Sequence, residues 1–338
     1  MSGLSSVSAL PRPIGVFDSG VGGLSVLRAL RAALPLEHFV YLADSAHAPY
    51  GERGDAFVTT RTQAVAQHLV DQYDVKALVI ACNTATAAAI EKVRSLYPQM
   101  PVIGVEPAVK TAASITKTGH VGVIGTRGTL TSTRFSLLLA TVEQHAQFVV
   151  QPCDGLAHAI EQSMALGENA TDVNNALRTP PGPIVHGEPA LTATAALCER
   201  YLGRMGRFGN APGDIDTLVL GCTHYVFVAD ELRKLVGPHV TIIETGEPVA
   251  RQTHRLLTQQ GWLNTGANHV EGTSLTNRPV AGPTGAHTTG TPISAVKNAV
   301  PGAATVQLLT TGSLDALQAA AVRWLDLPAA CCDCVGVP

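Results

Sequence analysis

The chain has 338 residues, 46% of them hydrophobic and 14% charged, enough for two cores of ordinary domain size. A net charge of −3, with no long run of Lys or Arg, excludes a basic stripe for nucleic acid or an anionic membrane. The most apolar windows, Ala77 to Ala81 and Thr217 to Leu220, fall far short of the roughly 20 residues of a bilayer helix, and Met1 to Pro13 lacks a secretory layout, so a cytoplasmic location with reduced thiols is expected.

Ile14 to Phe17 is a short apolar run that stops at Asp18-Ser19-Gly20-Val21-Gly22-Gly23, after which Leu24, Val26, Leu27, Leu30 and Leu34 recur at helical spacing. The pattern predicts strand, tight loop, helix. Phe39 to Leu42 gives a second strand before Ala43-Asp44. Ala77 to Ala81 gives a third, ending at Cys82-Asn83-Thr84 ahead of an Ala-rich helix, and Val102 to Val105 a fourth. At Val121 to Ile124 the pattern restarts, followed by Gly125-Thr126-Arg127-Gly128-Thr129. Thr217 to Leu220 then runs into Gly221-Cys222-Thr223-His224, much as Ala77 to Ile80 runs into Ala81-Cys82-Asn83-Thr84. Apolar strands alternating with helices predict an α/β chain of two pseudo-symmetric, doubly wound parallel-sheet domains with the active site in the cleft between them.

The expected division is 12–105 plus 237–327 for the first domain, 106–236 for the second and 328–338 for a tail. Residues 166–213 contain Thr179-Pro180-Pro181-Gly182-Pro183 and Gly209-Asn210-Ala211-Pro212-Gly213, composition expected of a surface insertion, with one helix from Leu191 to Leu202. Residues 264–304 are rich in Gly, Thr, Pro and Asn and are expected to be disordered. Val306 to Leu309 reads as a strand, and Leu314, Leu317, Ala321 and Leu325 as a closing helix.

Ligands of open parallel sheets bind outside the carboxyl ends of the strands, where Asp18, Asp44, Cys82, Thr126 and Cys222 all fall. Two halves packed with approximate two-fold symmetry would set Cys82 and Cys222 on opposite sides of one cleft. Inverting a carbon centre needs a base on one face and an acid on the other, each able to exchange roles, and a thiol and a thiolate can do so. Asp18 and His224 are the expected relay or orienting groups. A lone buried cysteine usually packs as a small hydrophobe, which is the expectation for Cys153 and Cys198. Matching strand ends set Cys82 and Cys222 apart. Cys331-Cys332-Asp333-Cys334 makes an incomplete tetrahedral set and is expected to be an inert, oxidisable tail.

Other chemistries fit less well. The loop Asp18 to Gly23 lacks the G-x-G-x-x-G spacing, and Asp18 would repel a pyrophosphate. Lys76, Lys92, Lys110, Lys117, Lys234 and Lys297 all miss the strand ends, so no Schiff-base lysine is expected in the cleft. No H-E-x-x-H pair occurs. Neither a cofactor nor a metal is expected.

Four segments, Phe17-Asp18-Ser19-Gly20-Val21-Gly22-Gly23, Pro49-Tyr50-Gly51, Ala81-Cys82-Asn83-Thr84 and Gly221-Cys222-Thr223-His224-Tyr225, together resemble the signature motifs of glutamate racemase, within the aspartate/glutamate racemase superfamily. The resemblance runs from Ile14 to about Leu327, apart from the two low-complexity stretches. It implies that Cys82 acts on the D-enantiomer and Cys222 on the L-enantiomer, with Asp18 assisting the first and His224 and Glu161 the second. It further implies that Asp18, Ser19, Tyr50, Gly51, Asn83, Thr84, Thr223 and His224 bind glutamate, with Thr126 and Thr129 as further contacts. A homodimer and a role in supplying D-glutamate for peptidoglycan are implied too. Val226 stands where the family usually has proline, and His47 where arginine is common. The competing readings are an aspartate or hydantoin racemase and a non-catalytic amino-acid-binding or regulatory protein.

Overall fold

The computed structural model describes residues 12–165, 190–265 and 304–338. Two all-parallel sheets organise these residues. The first runs β10-β9-β2-β1-β3-β4, from β1 (Ile14–Asp18), β2 (Phe39–Ala43), β3 (Ala77–Ile80), β4 (Val102–Gly104), β9 (Val306–Thr310) and β10 (Cys332–Cys334). The second runs β6-β5-β7-β8, from β5 (His120–Gly125), β6 (Gln147–Pro152), β7 (Thr217–Gly221) and β8 (Thr241–Ile243). The order β2-β1-β3-β4 of the first sheet thus recurs as β6-β5-β7-β8 in the second. Each half has the same plan: an opening strand at the centre, its successor on one side and the cysteine-bearing strand on the other.

Helices connect the strands: α1 (Leu24–Ala33), α2 (Asp55–Tyr73), α3 (Asn83–Leu96), α4 (Val109–Ile115), α5 (Arg127–Leu130), α6 (Thr133–Ala140), α7 (Leu156–Ala165), α8 (Ala190–Leu202), α9 (Ala229–Val236), α10 (Gly246–Gln260) and α11 (Leu314–Leu325). Every residue of β1, β2, β3 and β7 is buried. That burial on both faces explains why these strands read as unbroken apolar runs instead of alternating ones. On α1 the buried positions Leu24, Val26, Leu27 and Leu30 follow the helical spacing of the sequence. One buried cluster is continuous from β1 and α1 through Ile124 and Cys153 to Leu218, Cys222 and α11, so the two halves share a core.

Three expectations need correction. Thr241 to Ile243 hydrogen-bonds beside β7, so this segment belongs to the second sheet although the expected boundary gave everything after 236 to the first domain. The short strand sits at a sheet edge, half-exposed, and carries too few apolar residues to signal its partner. Residues 166–213 were expected to form a surface insertion, yet α8 buries Thr194, Cys198, Tyr201 and Leu202 against the shared core. Apolar spacing on this helix outweighs the loop-like composition around it. Cys332 to Cys334, expected in an inert tail, forms β10 and pairs in parallel with Leu308 to Thr310. The expectations for 166–189 and 266–303 lie outside the described residues.

Candidate active site

The carboxyl ends of β1, β3, β5 and β7 point into one cleft, lined by Asp18, Ser19, Tyr50, Gly51, Cys82, Asn83, Thr84, Thr126, Glu161, Cys222, Thr223 and His224. Both cysteine side chains reach it, each only 6% exposed. Cys82 caps the N-terminus of α3, where its sulfur accepts from the Ala85 amide at 3.5 Å and faces the Ser19 hydroxyl at 3.6 Å. Cys222 follows β7, its sulfur 3.8 Å from His224 Nδ1. The two sulfurs therefore share a cleft in different company: a carboxylate loop beside one, an imidazole beside the other.

Asp18 is wholly buried. Its carboxylate accepts from the Ser19 amide at 2.7 Å, from the Gly23 amide, and from the Thr223 hydroxyl at 3.3 Å. Burial pushes this carboxyl up to about 6, with Glu161 adding to the rise and His224 and the two amides opposing it. Burial likewise pushes the Cys82 thiol well up, with the Asp18 charge adding and the Ala85 amide and Ser19 hydroxyl opposing. Cys82 thus rests as the protonated acid.

His224 and Glu161 form a buried pair, Nε2 to Oε2 at 2.5 Å. Burial alone would lower the imidazole, but its hydrogen bonds to Cys222 and Glu161 and the charge of both outweigh it, so His224 is held protonated. Burial raises Glu161, and the His224 partner, the Val21 amide and the Ser45 hydroxyl overcome it, so the carboxylate stays ionised. Glu161 thereby crosses the cleft: it pairs with His224 of the second half while accepting from Val21 at 3.1 Å and Ser45 at 3.2 Å of the first.

The glycines of the first loop are spacers for these groups. A Cβ at Gly20 would stand 2.6 Å from both Glu161 carboxylate oxygens, and one at Gly22 would collide with His224 Nδ1 and the Thr223 hydroxyl. The loop is glycine-rich because three polar side chains pack against its backbone, rather than to cradle a phosphate.

Asn83 is 4% exposed, and neither its Oδ1 nor its Nδ2 has a protein partner. A buried amide left with both functions unsatisfied in a ligand-sized cleft is poised for a ligand with a donor and an acceptor. Thr129 does not line this cleft. It lies behind Thr84 and Thr126, whose hydroxyls it meets at 3.3 and 2.9 Å, because its position in the first turn of α5 faces α3. Ala48, Pro49, Ala157 and His158 line the cleft without having been expected there. His158 precedes Glu161 by three residues on α7, and that helical spacing was the available signal. Among the described residues no group of three His, Cys, Asp or Glu is arranged to hold a metal ion.

The family model described as Asp/Glu/Hydantoin racemase matches residues 14–253. The chain belongs to that family. A glutamate racemase of Pseudomonas paraeruginosa is 44% identical to this racemase-family chain over 260 residues, covering 77% of it and 87% of the relative. Among solved structures, a glutamate racemase isoform of Bacillus anthracis superposes with a TM-score of 0.69 at 28% identity, covering 96% of this chain and 98% of that one. The Escherichia coli glutamate racemase, solved with L-glutamate, gives 0.65 at 25% identity, covering 93% and 96%. The family match spans both cysteines, Asp18, Glu161 and His224, and stops before β9, α11 and β10.

Proposed function

We propose that this racemase-family chain interconverts L- and D-glutamate by direct proton transfer between two thiols and the α-carbon, without a cofactor, supplying D-glutamate for peptidoglycan. The observation that carries the reading is the pair of cysteine sulfurs at equivalent strand ends of two similar half-folds, lining one cleft. The glutamate racemases at 44% identity, and the L-glutamate of the Escherichia coli structure, support the substrate. Among the described residues no lysine lines the cleft, and its polar groups are the cysteines and their acid, imidazole, amide and hydroxyl neighbours, which supports acid–base work by the cysteines.

In one direction the Cys222 thiolate removes the α-proton of L-glutamate, forming an S–H bond while the C–H pair passes into the carboxylate-stabilised carbanion. The Cys82 thiol then delivers its proton to the opposite face, giving D-glutamate and leaving Cys82 as thiolate. The reverse direction exchanges the roles. His224 donates toward the Cys222 sulfur from 3.8 Å, and Asp18 stands beside Cys82 to relay a proton through Ser19 or the substrate ammonium. Asn83, Thr84, Thr126 and Thr223 offer the amide and hydroxyl groups that bind carboxylates.

Proton NMR of L-glutamate in heavy water tests reaction and substrate together. The expected result is loss of the α-proton signal with matching appearance of D-glutamate and no added cofactor. Turnover of L-aspartate with glutamate untouched would overturn the substrate, and tight glutamate binding without exchange would favour a binding module. We further place the chain in the cytoplasm as a homodimer, and a monomer mass by light scattering would refute the dimer.

A further inference from the structure

One buried carboxylate near the cleft has no part in the chemistry above. Asp44, just past the end of β2, is wholly buried, and four side chains hydrogen-bond its carboxylate. The Arg61 guanidinium of α2 grips it with two donors, Nε to Oδ2 at 3.1 Å and Nη2 to Oδ1 at 2.9 Å. It also accepts from the Tyr50 hydroxyl at 2.6 Å and the Thr311 hydroxyl at 2.9 Å, with His47 Nδ1 at 3.0 Å. Tyr50 is a wall of the cleft, carried with Pro49 and Gly51 on the loop that follows Asp44. Thr311 binds that loop a second time, accepting from the Ala46 amide at 3.1 Å.

We infer that Arg61 and Thr311 are positioning residues for substrate binding, acting through Asp44 to hold Tyr50 and the wall it belongs to. The inference rests on the proposed racemase reading and deepens it. A buried carboxylate pins a phenol firmly, but alone it would add negative charge beside a site for an anionic amino acid. The Arg61 fork cancels that charge and fixes the carboxylate's plane, which a lysine, with a point charge and no fork, cannot do. Burial raises Asp44, yet Arg61, Tyr50 and Thr311 together hold it below the usual carboxylate range, so the network stays ionised and Tyr50 remains its donor. Thr311 lies beyond the family match, so part of the wall is set by the segment that closes the first sheet.

The test is a mutant cycle on the full chain: wild type, Arg61→Lys, Tyr50→Phe and the double variant, with kcat and KM for L-glutamate and calorimetric Kd for the same ligand. Each single change is expected to raise KM and Kd about fivefold to tenfold with kcat within about twofold, the signature of lost uniform binding. The double variant should be no worse than the weaker-binding single one, because both act along one path. Thr311→Val removes the hydroxyl that donates to Asp44 and accepts from Ala46 but leaves the ion pair, so it provides a milder probe, expected at about a twofold to threefold rise, should Arg61→Lys fail to fold. Multiplying effects in the cycle, an unchanged Kd in Arg61→Lys and Thr311→Val, or a fall in kcat alone would overturn the inference. Absence of turnover in wild type would instead overturn the racemase reading, and the Kd values would still decide the positioning role.

Discussion

Replacing Asp18 with Asn should make the protein gain stability relative to wild type as the pH rises. Asp18 titrates at about 6 in the fold against an ordinary 3.8, because burial penalises its charge. A folded-state pKa above the unfolded one means that the native protein holds the proton more tightly. The group's contribution is therefore favourable below about pH 4 and is lost as the pH passes through about 6. At 1.36 kcal/mol per unit the whole gap is worth about 3 kcal/mol, of which about 2 kcal/mol falls between about pH 4.5 and about pH 7.5. Asn has the same size and still accepts one hydrogen bond, but it loses an acceptor for the Gly23 or Ser19 amide, so its offset from wild type at any single pH mixes two effects. The pH dependence of the difference isolates the titration. Urea unfolding at both pH values should show the variant-minus-wild-type free energy rising by about 2 kcal/mol on going to the higher pH. A flat or falling difference would refute the claim that a charged Asp18 is held at a cost for its chemistry.

Cys82→Ala and Cys222→Ala should each lower racemisation by at least about a hundredfold while circular dichroism stays that of wild type, since each removes an obligatory proton carrier; substantial turnover in either would refute the two-base scheme. Glu161→Gln should cut kcat by roughly tenfold to a hundredfold. It should also move the alkaline limb of the pH–rate profile to lower pH, because burial, which lowers His224, is then opposed by Cys222 without the help of Glu161. An unmoved limb would show that Glu161 does not hold the imidazolium. Gly22→Ala should destabilise the fold by about 1–3 kcal/mol and lower kcat, since the added Cβ displaces His224 from Cys222, whereas wild-type activity would show that the loop yields freely.

The central strands were legible because burial on both faces writes itself into the sequence as unbroken apolar runs, and Ile14 to Phe17, Phe39 to Leu42 and Thr217 to Leu220 stop within a residue of the observed ends. Three of the four edge strands escaped, Val102–Gly104 being the exception. Gln147 to Pro152 has no fully buried position, and β8 and β10 are short, so little in their composition marks them. The cysteines and Asp18 could be located because strand ends converge in this architecture whatever the loops do. The resemblance already set Glu161 and His224 beside the same cysteine, but their direct bond, between residues 63 apart within the second half, and the reach of Glu161 across the cleft to Val21 and Ser45 needed the coordinates. Thr129 was named by the resemblance alone, and the coordinates show that only Thr126 reaches the cleft while Thr129 meets Thr84 and Thr126 behind it.

The two halves share a strand order but not a chemistry, and that difference has a consequence for how the cycle starts. Cys82 sits in a buried pocket next to a carboxylate, conditions that hold its proton in place, and Asp18, at about 6, is far too weak a base to take it unaided. On the proposed racemase reading, the cation available to reverse this balance is the substrate's own ammonium. Placed between Asp18 and the Cys82 sulfur, a positive charge stabilises both anions and lowers the cost of ionising the thiol by the same mechanism that pairing lowers any buried acid. Binding the correct ligand would then prepare the base, so that binding energy is spent on the proton transfer and not on tighter association alone. A free enzyme that keeps Cys82 protonated also keeps a soft nucleophile out of reach of oxidants between turnovers. The buried, carboxylate-flanked position of Cys82 therefore suits a group that must be reactive only when the cleft is filled.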